Sequence, residues 1–101
     1  MSHSEELTRK ITEKRRLATL RFLNSEPDLR MAVNLLQLAL EMYLLNVNSD
    51  DITADADFLR KAGLVTLEHI GSMPALKLTQ AGRETAKGTR KVEGVQPPPL
   101  D

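Results

Sequence analysis

Apolar positions recur at helical spacing over the first half of the chain and at a period of two in part of the second. Between residues 5 and 25, Leu7, Ile11, Ala18 and Phe22 fall on one stripe, with Leu17 and Leu20 beside it, which predicts one long helix. The stripe breaks at Lys14 and Arg15, so Leu17 to Leu23 reads as packed and the part before it as only partly covered. Asn24, Ser25, Glu26 and Pro27 end the helix, because proline disfavours helical geometry in the residue before it. Met31-Ala32-Val33 is too short a run to classify and is compatible with one short strand. Asn34 and Gln37 have the form of a capping box, and Leu35-Leu36-Gln37-Leu38-Ala39-Leu40-Glu41-Met42-Tyr43-Leu44-Leu45 follows. This second helix is apolar almost all round, with Gln37 and Glu41 as its polar edge. It is expected to be the central, most buried helix, with Met42 and Tyr43 as core side chains.

Asn46 to Ser49 read as a turn, with Ser49 as the N-cap of a third helix. Asp50 and Asp51 suit the positive end of its dipole. Ile52, Ala56 and Leu59 form the inner face, Phe58 and Ala62 flank it, and Gly63 is a left-handed cap. The period then changes. Val65, Leu67 and His69 alternate with Thr66, Glu68 and Ile70, and Ala75 to Thr79 alternate again across a four-residue turn, Gly71 to Pro74. These two runs predict a β-hairpin, with His69 half-buried on it. Gln80 to Lys87 forms a short helix stopped by Gly88, and Pro97 to Pro99 predict a flexible, extended tail. The domain is thus read as residues 5–88 and the tail as residues 89–101.

Composition narrows the class. A chain of 101 residues is one small domain. It has 17 leucines against three aromatic residues, which favours helices over an all-β sandwich. The absence of cysteine excludes disulfides and thiolate metal sites. No apolar run reaches the roughly 20 residues that span a bilayer, and no signal peptide opens the chain, so a soluble cytoplasmic protein with no membrane partner is expected. The formal net charge is zero. That neutrality hides segregation: residues 9–21 hold six bases against one acid, and residues 28–58 hold six acids against Arg30 alone. A basic and an acidic surface can therefore coexist.

The order helix, helix, helix, hairpin, helix is that of a winged helix-turn-helix domain. The fold expected is mainly α with a small β-hairpin (α+β): a three-helix core, a wing and a short C-terminal helix. Phe58-Leu59-Arg60-Lys61-Ala62-Gly63-Leu64-Val65 resembles the end of the recognition helix and start of the wing in ArsR-like and MarR-like regulators. Leu78-Thr79-Gln80-Ala81-Gly82-Arg83-Glu84 resembles the segment that follows the wing there. Over nearly its whole length the chain resembles a family of small ArsR-like winged-helix proteins of Mu-like phages and prophages. The shared features are Leu35-Leu36-Gln37, Ala39-Leu40-Glu41, Asn48-Ser49-Asp50-Asp51, Gly63 to Glu68, Leu78-Thr79 and the proline-rich ending near Gly94-Val95. The resemblance implies a phage origin, this fold and a DNA-binding role in a bacterial host cell.

The residues point away from catalysis and cofactors. The one carboxylate cluster, Asp50, Asp51, Asp55 and Asp57, is explained by helix N-terminal chemistry, and no nucleophile is paired with a base. Metal sensing by an ArsR-like protein requires cysteines or a His and carboxylate cluster, which the chain lacks, and no small-molecule ligand is evident. A DNA-binding transcriptional regulator is the leading expectation, with double-stranded DNA as partner. Its contacts are Thr53, Asp57, Arg60 and Lys61 on the outer face of the third helix, Lys77 on the wing, and Lys14, Arg15, Arg16 and Arg21 on the first helix. Two acids on that outer face, Asp50 and Asp57, oppose phosphate. The alternative is an interaction or assembly module that binds no DNA, its acidic third helix facing a basic partner or a neighbouring protomer's first helix. Leu7 and Ile11 are the expected homodimer contacts.

Overall fold

Seven elements in the order α1 (His3–Ser25), β1 (Arg30–Ala32), α2 (Val33–Tyr43), α3 (Ser49–Lys61), β2 (Val65–Ile70), β3 (Met73–Leu78) and α4 (Gln80–Lys87) build a small α+β domain. They are seen in a computed structural model that describes residues 2–43 and 46–99. Leu44 and Leu45, which the apolar pattern assigns to the second helix, lie outside the described residues, as do Leu100 and Asp101 of the tail.

Local chemistry sets the boundaries. Ser2 caps α1, its hydroxyl accepting the Glu5 amide, and Glu5 and Glu6 occupy the first turn where the helix dipole favours acids. After Pro27 the chain turns through Leu29, at φ 62°, and enters β1. The short run at Met31 is therefore a strand. It pairs antiparallel with β3, Met31 opposite Leu76, making a three-stranded sheet of order β1-β3-β2. The hairpin turn is shorter than its sequence suggests. Pairing runs to Ile70 opposite Met73, so Met73 and Pro74 belong to β3 and only Gly71 and Ser72 turn. Proline is tolerated there because β1 ends at Ala32, opposite Ala75, and leaves β3 without a second neighbour at position 74. His69 is exposed.

Two caps sit elsewhere than the spacing predicts. α2 follows β1 without a break, so Asn34 lies inside its first turn; the Asn34 carboxamide accepts from the adjacent Leu35 amide, and Gln37 donates to Glu41. For α3 the cap is Asn48, one residue before Ser49. Asn48 Oδ1 accepts the Asp51 amide at 2.9 Å and Asp51 Oδ2 accepts the Asn48 amide at 3.2 Å, a reciprocal capping box. Gly63, at φ +77°, ends α3 in the left-handed region.

The core lies where α1, α2 and α3 meet the sheet. Leu20, Leu23, Leu36, Leu40, Leu59 and Leu76 are fully buried. The Leu78-Thr79-x-x-Gly82 motif locks α4 to this core. Thr79 Oγ1 accepts the Gly82 amide and donates to the Gly63 carbonyl at 2.7 Å, while Gly82 packs so closely on the Leu64 carbonyl that a Cβ has no room. Beyond Gly88 the chain does not trail away as a loose tail. Val95 is buried in the core cluster, Val92 packs against it, and the Gln96 amide bonds the Glu13 carbonyl of α1. The three prolines direct this segment along the body without a ladder or helix. Among the described residues no helix is long and apolar enough to cross a membrane.

Candidate functional site

Six basic residues on α1 suggest a phosphate-binding face, but the fold turns two of them inward. Arg15 is buried, and its guanidinium bonds Asp55 of α3 twice, Nε to Oδ2 at 2.5 Å and Nη2 to Oδ1 at 3.0 Å. Arg16 donates from Nε to the same carboxylate at 3.2 Å and from Nη1 to the Gly94 carbonyl at 3.1 Å. Its guanidinium lies 3.8 Å from the centroid of the Phe58 ring. Gly94, at φ +93°, fits here because a Cβ would stand 2.5 Å from that ring. The attraction between the basic first helix and acidic third helix is thus satisfied within one chain, at Asp55. Arg15 and Arg16 are structural groups, a correction to their reading as phosphate contacts.

The outer face of α3 is also internally balanced. Asp57 accepts from Arg60 and sits 3.0 Å from both Arg60 Nη2 and Lys61 Nζ. Lys61 first, then Arg60, holds the Asp57 carboxyl below the usual carboxylate range. Thr53 is exposed but spends its hydroxyl on the Ser49 carbonyl one turn back. Thr53, Asp57 and Arg60 form the polar rim of a cleft of about 300 Å³ between α3 and the hairpin, floored by Ile52, Leu67 and Leu76. Asp51 is held by its cap and Asp55 by two arginines, and among the described residues no three His, Cys, Asp or Glu side chains converge as a metal site.

Lys14, Arg21 and Lys77 are exposed and carry no ion pair among the described residues. They are not one patch. Lys14 and Arg21 line a cleft on α1 beside Tyr43, whereas Lys77 stands on β3 opposite Arg30 and Thr66. The hairpin end offers Leu67, Ile70 and Met73 to solvent, with no cation among them.

The apolar surfaces are larger than the sequence suggests. α2 buries only Leu36 and Leu40, while Leu35 is 56% exposed, Leu38 53%, Met42 84% and Tyr43 58%. The expectation of a central helix with Met42 and Tyr43 in the core does not hold. One face meets α1 and the sheet; the face carrying Leu35, Leu38 and Met42 at i, i+3 and i+7 meets solvent. Tyr43 packs edge-on to Phe22, ring centroids 6.1 Å apart, and joins this face to α1. On α1 the exposure of Leu7 (56%) and Ile11 (47%) agrees with the partial cover predicted for its first half. No sequence signal separates a helix buried all round from one with an uncovered apolar face, because both read as continuous apolar runs.

No family model and no solved structure matches the chain. Among curated proteins it is similar to uncharacterized protein gp26 of Escherichia phage Mu, with 35% identity over 91 residues that cover 87% of this chain and 91% of that protein.

Proposed function

Because the chain belongs to the family of protein gp26 of Escherichia phage Mu, we propose that it is a phage-encoded, non-catalytic winged-helix protein that works as a protein-interaction module in the bacterial host cytoplasm. The order of α1, α2, α3, the β2–β3 hairpin and α4 supports the winged-helix reading, with β1 as the third strand of the wing sheet. The observation that carries the interaction reading is the uncovered apolar face of α2. A contiguous exposed apolar patch larger than a few hundred Å² is rare on a monomeric domain and marks an interaction surface.

Electrostatics favours the same reading. Phosphate binding draws its free energy from cations that displace counterions. On α3, the helix that enters the major groove in this fold, the two cations share Asp57, and Asp50 adds a further negative charge. DNA-binding transcriptional regulation is the second reading, favoured by the exposed Lys14, Arg21 and Lys77, which have no ion pair among the described residues. A titration of random duplex DNA at about 50 mM salt, where the electrostatic contribution is strong, separates the two. The interaction module leaves the duplex free. Saturable binding that weakens on Lys77→Ala and Arg60→Ala overturns it in favour of the DNA reading.

A further inference from the structure

We propose that the partner of the α2 face is a second copy of this chain, docked by a two-fold contact in which α1 of each protomer lies on α2 of the other. The inference rests on the interaction reading above and names the occupant of that surface.

The first observation is the isolation of the start of α1. From Ser2 to Ile11 every residue is exposed, so the first two and a half helical turns are only partly covered within the chain. Their exposed surface is sorted. Glu6 pairs with Lys10 and Arg9 with Glu13, both i, i+4, leaving Leu7 and Ile11 as an apolar seam bordered by neutralised charge. The seam ends at the exposed Lys14; beyond it α1 turns inward at Ala18, and Phe22 meets Tyr43 of α2. Leu7 and Ile11 on α1, and Leu35, Leu38, Met42 and Tyr43 on α2, are thus two exposed apolar patches on helices that meet at Phe22 and Tyr43.

Size and charge identify what covers them. Leu7, Ile11, Leu35, Leu38 and Met42 together expose on the order of 500 Å² of apolar surface; a homodimer contact of about 800 Å² per partner, some 65% apolar, needs about that much. Bordering the α1 seam, Lys14 has no carboxylate partner among the described residues. Beside Leu38 and Met42 on α2, Glu41 has no cationic partner there and bonds only Gln37. A two-fold contact of α1 on α2 sets Lys14 of each copy beside Glu41 of the other, twice. An isologous interface requires such self-complementarity.

The test is the mass of the full chain in sedimentation equilibrium across a concentration series, with circular dichroism to verify folding of each variant. The wild type is expected at twice the monomer mass. Leu38→Glu with Met42→Glu, and separately Leu7→Asp with Ile11→Asp, should each raise the dimer Kd by about a hundredfold or more with helix content kept. Lys14→Glu alone should raise it roughly tenfold, and adding Glu41→Lys should restore it. That rescue is specific to α1 against α2; a structural defect does not produce it. A wild type monomeric at high concentration, or a dimer indifferent to the α2 variants, overturns the second copy as occupant. Neither outcome bears on the interaction reading, which falls instead to saturable duplex binding.

Discussion

Arg15 and Asp55 stand 40 positions apart in sequence and meet as a bidentate ion pair in the interior, tying the middle of α1 to the middle of α3. Neither is free to face a ligand. Asp55 also takes Arg16, so one carboxylate answers two consecutive cations. Removing one side of a buried pair is worse than removing both, because the survivor keeps its desolvation cost without its partner.

Asp55→Ala is accordingly expected to destabilise the fold by about 3–5 kcal/mol in urea unfolding. Arg15→Met, which leaves Asp55 paired with Arg16 and keeps an apolar stem in place, should cost less. Equal losses would mean that Arg16 alone does not keep Asp55 paired once Arg15 is gone.

On α2, buried and exposed leucines alternate within two turns, and mutation should separate them. Leu36→Ala and Leu40→Ala are each expected to cost about 2–5 kcal/mol. Leu35→Ser and Leu38→Ser, on the uncovered face, should change the stability of the isolated protomer by less than about 0.5 kcal/mol. Denaturation at concentrations low enough to exclude association is the measurement.

The elements were readable from the chain because each carries a local signal: the α1 stripe, the α3 capping carboxylates, the alternation from Val65, the Gly88 stop. What was not readable depends on contacts distant in sequence. Arg15 and Arg16 look like surface cations until α3 brings Asp55 to them. The exposed face of α2 reads as core because hydrophobicity states what prefers burial, not what covers it. Three prolines suggest a free tail, and the Gln96 bond to Glu13 lies 83 positions away, beyond any local rule.

Gly82 is expected to be intolerant of any side chain. Its Cβ position is filled by the backbone carbonyl of Leu64, which cannot turn aside without breaking its bond from the Thr79 amide. Gly82→Ala should cost about 1–3 kcal/mol, read as a lowered Tm, despite alanine's better helix propensity.

The acid limb of stability follows from three surface carboxylates. Lys61 and Arg60 lower Asp57, Arg30 lowers Asp28, and Arg90 with Gln80 lowers Glu84. A carboxyl lowered in the folded state stabilises above its unfolded pKa, and that contribution disappears as pH falls through the folded value. Stability should therefore be level near neutrality and decline below about pH 4. Asp57→Asn should make that decline shallower, with the unfolding midpoint at pH 3 against pH 7 as the measure.

The contact between Gln96 and Glu13 also sets an order of events during synthesis. α1 leaves the ribosome first, yet its Arg16 has no Gly94 carbonyl, and the core no Val95, until more than 75 further residues have been added. Through most of translation the nascent chain carries the α1 surface uncapped, and the contact that seals it is among the last and longest-range to form, the kind that slows folding most.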